Sequence, residues 1–138
     1  MRTIKFRAWT KISKVMGYVH NIDFAEEEVK VMVDNPNITK ETGLSFDFRY
    51  WNFDAIELMQ DTGLCDKNGK EIYEGDLVKI PNDYVLYGQF AGEAREIFYN
   101  EGGFRLKPKW NKNYTGNYLE SGIDYEVIGN IHEERSET

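Results

Sequence analysis

The chain has 138 residues, with 24 acidic side chains against 17 Lys and Arg and a net charge of −7. That length fits one domain or two small ones, and the acidic balance argues against affinity built on phosphate neutralisation, which needs clustered cations. A hydrophobic content of 41% excludes a disordered chain, and no apolar run nears the ~20 residues of a membrane span.

The start, MRTIKFRAW, lacks the apolar stretch and cleavage site of a signal peptide. One cysteine, Cys65, excludes an intramolecular disulfide and suits a reducing cytosol. His20 and His132 sit near opposite ends of the chain, so Cys65 has no evident base. One Cys and two scattered His also lack the spacing of a zinc site. The expectation is no catalytic residue, no metal and no cofactor.

Residues 1–10 alternate, with Ile4, Phe6 and Ala8 on one side and Lys5, Arg7 and Trp9 on the other, which is strand periodicity. Thr10 to Lys14 is turn-like, and Val15 to Phe24 returns as a second strand with Gly17 as a bulge position. His20 is expected on its solvated face. Glu26-Glu27-Glu28 reads as a solvated loop or helix start. Val29 to Val33 is a short strand, Asp34-Asn35-Pro36-Asn37 a turn, and residues 38–45 a polar loop. Phe46, Phe48 and Tyr50 alternate with polar neighbours as a further strand.

Asn52 to Gln60 fits a helix through Ile56 and Met59 or a strand through Ile56 and Leu58; a strand from about Ile56 to Gln60 is favoured. Asp61-Thr62-Gly63 echoes Glu41-Thr42-Gly43. Such acid-Thr-Gly triplets resemble the loops of aspartic proteases, but here they fall close together, in turn contexts, and one carries Glu. Asn68-Gly69 is the sharpest turn signal and predicts a type I′ hairpin. Glu74-Gly75-Asp76 is a second turn, with Gly75 free to take positive φ. Leu77 to Ile80 follows as a strand that Pro81 ends. A tight Gly-Asp turn feeding a β-branched strand commonly opens an SH3-like barrel.

Beyond Pro81, the loop of residues 82–89 carries Tyr84 and Tyr87 and is the natural binding loop. Ile97-Phe98-Tyr99 ends a strand, Asn100 to Gly103 is a hairpin turn, and Phe104 to Leu106 returns. Lys107, Lys109, Trp110, Lys112 and Tyr114 form a basic-aromatic cluster. Cations on phosphate and rings on bases would suit nucleic acid; lysines protecting an edge strand would look the same. Tyr125 to Ile131 is the closing strand, with Gly129 permitting a bulge. The 9 Tyr, 8 Phe and 3 Trp fall mostly in strand-like runs, where rings pack well on a pleated surface; the sharper reading is a stacking platform for bases or a peptide.

Three segments, IKFRAW near the start, LMQDTGLCDKNGKEIYEGDLV in the middle and YEVIGNIHE near the end, together resemble the YopX family of phage and prophage proteins. Asp61 and Cys65 depart from it, since members usually carry an aromatic and a basic residue there. The resemblance implies a phage or prophage gene product, mostly β, with an SH3-like C-terminal half and oligomers as a possibility. It implies no activity that can be carried onto particular residues.

The expected architecture is a mostly β chain: an N-terminal β hairpin region over residues 1–55, a small SH3-like barrel over 56–132 and a polar tail over 133–138. The expected function is an accessory binding module without enzyme activity, cytoplasmic in a bacterial host. Its surface candidates are Tyr84, Tyr87, Lys109, Trp110 and Tyr114, and its partner is a protein or a second copy rather than nucleic acid or membrane. One alternative is a structural homo-oligomer pairing through an N-terminal edge strand. Another is a nucleic-acid-associated protein using the cluster at 107–114. A third is an enzyme holding one metal ion on Asp61, Glu74 and Asp76.

Overall fold

The computed structural model describes residues 4–34, 46–82, 92–107 and 117–133. The chain is mostly β, as the alternation in its sequence requires, and divides into two compact units, Ile4–Gln60 and the chain from Asp61 onward. Among the described residues no helix is long and apolar enough to cross a membrane.

The first unit is an antiparallel sheet of β1 (Phe6–Thr10), β2 (Val15–Asp23), β3 (Glu28–Asp34), β4 (Phe46–Asn52) and the first half of β5 (Ile56–Cys65). Its strand order is β4-β3-β2-β1-β5. Only the short 3₁₀ turn Phe53–Ala55 separates β4 from β5. Five strands laid flat would separate the outer two by about 19 Å at ~4.8 Å per strand. The four steps from Asn52 to Ile56 reach no more than about 14 Å. The sheet must therefore curl, bringing its two ends together. Two hydrogen bonds fit this path: Lys11 N–H to the Ala55 carbonyl at 3.0 Å, and Phe53 N–H to the Glu27 carbonyl at 2.9 Å.

Curling gives the sheet a concave side, where Ala8, Val29, Val31 and Ile56 are buried against Val19, Ile22, Val33, Trp51 and Phe53. Gly17 belongs to this side. A Cβ there would lie 2.4 Å from Val31 Cγ1 and 2.8 Å from the Met32 carbonyl oxygen. Gly17 pairs regularly with Ala8; the bulge expected at this glycine instead interrupts the β2–β3 register between Val19 and Asn21. The glycine serves close approach, and the bulge supplies the bend.

In the second unit, the rest of β5 pairs with β6 (Glu71–Tyr73). The DTG segment, expected as a turn, is part of β5. Its extra residues are absorbed as a register shift between Asp61 and Cys65, with Gly63 at φ 85°. The Asp61 carboxylate accepts the Gly63 N–H at 3.0 Å and Thr62 Oγ1 accepts the Leu64 N–H at 3.2 Å, so the irregular backbone stays satisfied. The second sheet holds β7 (Asp76–Lys79), β8 (Ala94–Asn100), β9 (Gly103–Leu106), β10 (Asn117–Tyr118) and β11 (Glu126–Asn130) in the order β10-β9-β8-β7-β11. Among the described residues its two ends do not pair. Its core is Ile72, Val78, Ile80, Ile97, Leu106 and Tyr125. The β11 register shifts between Val127 and Gly129, the bulge foreseen at that glycine.

Type I′ geometry occurs at Glu101-Gly102, with φ 47° and 82°, joining β8 to β9 through Asn100 and Gly103. At Asn68-Gly69 only Gly69 has positive φ, at 83°. Gly69 N–H donates to the Asp66 carbonyl at 3.0 Å, so the expected I′ turn is instead a type I turn over 66–69 completed by a left-handed glycine. The Asp66 side chain decides the difference, because from the first position of the turn it accepts the Asn68 N–H.

Candidate functional site

Asp66 is buried, and its carboxylate accepts three backbone N–H groups. Oδ1 accepts the N–H groups of Asn68 and Lys70, each at 2.9 Å. Oδ2 accepts the Val127 N–H of β11 at 3.0 Å. Burial pushes its pKa up, but the three backbone donors, with the Lys70 charge, outweigh burial and hold the carboxyl below its ordinary value. Lys67 N–H adds a 2.8 Å bond to the Tyr125 carbonyl.

The second turn is tied down in the same way. Asp76 Oδ2 accepts the Tyr73 N–H at 2.8 Å, Gly75 N–H reaches the Ile97 carbonyl at 2.8 Å, and Ile131 N–H returns to the Gly75 carbonyl at 2.9 Å. Asp76 pairs with Asn130, whose Oδ1 accepts the N–H groups of His132 and Glu133 at 2.9 and 3.0 Å, capping the helical residues that begin at Ile131. The middle and closing sequence motifs are thus two sides of one hydrogen-bonded seam. Asp61 and Asp76, weighed above with Glu74 as metal ligands, each hold a backbone N–H. Among the described residues, no three His, Cys, Asp or Glu side chains gather into a metal cluster. A shallow pocket of about 350 Å³ lined by Lys67, Lys79, Asn82, Asp124 and Glu126 holds one ion pair, with Lys67 Nζ 3.3 Å from Glu126.

The candidates Tyr84, Tyr87, Lys109, Trp110 and Tyr114 lie outside the described residues. A different aromatic group stands out, on the convex side of the first sheet. Register places Tyr18 beside Met32 and Met32 beside Phe48, while Lys30 faces Tyr50. Tyr18, Phe48 and Tyr50 are 58%, 40% and 65% exposed. Lys30 Nζ lies 5.0 Å from the centre of the Phe48 ring and 5.6 Å from that of Tyr50, within cation–π range. His20, at the β2 bulge, meets the Phe48 ring edge-on at 5.3 Å.

Three large rings, a methionine and one ammonium therefore share a solvent-facing patch on three adjacent strands. Contiguous exposed apolar surface of this kind marks interaction sites more often than scattered single residues do. The sequence held two clues to it: the period-two spacing of Phe48 and Tyr50, and a lone Lys30 interrupting a run of valines. Neither says which strand lies across from which, and that register is what assembles the patch.

A family model for the YopX protein matches residues 5–136. The chain belongs to the YopX family. No curated protein matches it. Among solved structures, it is similar to protein EF1440 from Enterococcus faecalis, with a TM-score of 0.57 and 26% identity over 98% of this chain and 97% of that one. The YopX match spans both units and includes the seam between the Asp66 and Gly75 turns and β11.

Proposed function

We propose that this YopX-family chain is a phage- or prophage-encoded accessory module that acts by binding a protein in the host cytoplasm, without enzyme activity of its own. The observation that supports the reading is the open patch of Tyr18, Phe48 and Tyr50 around Lys30. Aromatic residues and Met are enriched at protein interfaces and Lys is depleted. A single cation held against two rings fits that composition better than it fits a polyphosphate track. In the second unit, a strand order in which β11 returns to β7 while β8, β9 and β10 follow as a meander supports an SH3-like reading.

Self-association is the second reading. It is favoured by β4, which ends the strand order and is an edge among the described residues; exposed edges template pairing with another chain.

The test is capture from lysate of a host carrying the prophage, with and without nuclease, using wild-type protein and the double variant Tyr18→Ala/Tyr50→Ala. A protein captured by wild type, retained after nuclease and lost by the variant supports the proposal. Capture that the variant leaves intact removes the patch. Capture abolished by nuclease replaces the protein partner with nucleic acid. Sedimentation of the purified protein reads the oligomer separately.

A further inference from the structure

We propose that Asn68-Gly69 is a covalent modification site, a self-cyclising asparagine that the Asp66 carboxylate holds shut. The inference is independent of the binding reading. Asn68 and Gly69 are exposed, and a Cβ built on Gly69 would meet nothing within 4 Å. No neighbouring atom crowds Gly69, and water has access to the exposed pair.

The chemistry needs only water. The Gly69 backbone nitrogen gives its proton to hydroxide and attacks Cγ of Asn68. The new C–N bond closes a five-membered succinimide, and the side-chain nitrogen leaves as ammonia with a proton from water. Hydrolysis then opens the ring at either carbonyl, giving aspartate or isoaspartate. The net change replaces NH₂ by OH, with no oxidation or reduction.

The folded turn opposes the first step. The attacking nitrogen donates its hydrogen to the Asp66 carbonyl at 3.0 Å, which masks the proton that must leave. The residues on either side are also fixed, because Asn68 N–H and Lys70 N–H both bind Asp66 Oδ1 at 2.9 Å. Reaction therefore requires local opening of the turn, an event distinct from global unfolding.

The isoaspartate product cannot return to the original turn. Isoaspartate inserts an extra methylene into the backbone between two donors that one carboxylate must reach together. Either product adds a negative charge beside Asp66, which is itself held ionised. The same carboxylate binds Val127 on β11, so modification loosens the seam irreversibly. The site records how often the turn has opened.

The experiment incubates full-length wild type, the Asp66→Asn variant and a peptide of residues 62–74 in mildly alkaline buffer. Mass spectrometry follows the gain of about one mass unit at residue 68, with fragmentation to distinguish isoaspartate. The expected result is that the peptide and Asp66→Asn react at least about tenfold faster than wild type, as release of a local clamp requires. Wild type reacting as fast as the peptide overturns the gate. Asp66→Asn matching wild type overturns the role of Asp66, and an inert peptide overturns the site. If Asp66→Asn does not fold, wild type in rising urea below its unfolding midpoint replaces it. The rate at residue 68 should climb while tryptophan fluorescence stays native, and a flat rate overturns the proposal.

Discussion

The carboxylate of Asp66 accepts the backbone N–H of Val127 at 3.0 Å, although 61 residues separate them in the chain. One side chain thereby fixes its own turn and fastens that turn to the last strand. Asp66→Ala leaves the N–H groups of Asn68, Lys70 and Val127 without their acceptor. Hydrogen bonds to charged groups contribute about 1.5–3 kcal/mol each, with water recovering part of the loss at a turn. The expected cost is about 3 kcal/mol, read as a lower urea midpoint at unchanged slope.

The same contact sets a pH dependence. The folded pKa of Asp66 lies below its ordinary value, whereas the unfolded chain titrates near ~3.9. The folded state therefore binds the proton less readily than the unfolded state. The stabilisation is fully present above the unfolded pKa and fades as pH falls through the folded one. Wild type should exceed Asp66→Asn in stability at neutral pH, with the gap narrowing below about pH 4. A gap independent of pH would show that ionised Asp66 is not its source.

Gly17→Ala tests the curl of the first sheet. The new methyl would overlap both a side-chain carbon and a carbonyl of β3, and a backbone oxygen cannot step aside. Overpacking of this kind costs typically about 1–3 kcal/mol. Thermal unfolding should show the loss; an unchanged midpoint would mean that β2 and β3 separate without cost.

The patch makes the opposite prediction. Tyr18→Ala and Tyr50→Ala remove exposed rings, and surface changes of this type usually stay within about 0.5 kcal/mol. Capture should fall sharply while the melting temperature holds, since a few aromatic anchors carry most interface energy. A variant that binds normally, or one that unfolds, would contradict this division of roles.

Much of the strand framework was legible because alternation reports pleat. Residues 1–10 and the run of Phe46, Phe48 and Tyr50 yielded to that reading, and β1 and β4 lie there. Asp61-Thr62-Gly63 misled because Asp, Thr and Gly are turn formers in isolation. Here the Asp61 and Thr62 side chains satisfy the backbone within a strand. Asn68-Gly69 announced a turn but not its type, which depends on a carboxylate two residues upstream and on a strand distant in sequence. The patch was hidden for a similar reason: Lys30, Phe48 and Tyr50 meet only through cross-strand register, and periodicity within one strand does not encode register.

Glu101 occupies the left-handed region at φ 47° in an exposed two-residue hairpin. A glycine would sit there without strain, and Glu101→Gly should raise stability by about 0.5–1 kcal/mol in chemical denaturation. Selection removes only what falls below a working threshold. The β8–β9 hairpin thus keeps unclaimed stability, a reserve that could absorb damaging substitutions elsewhere in the second sheet.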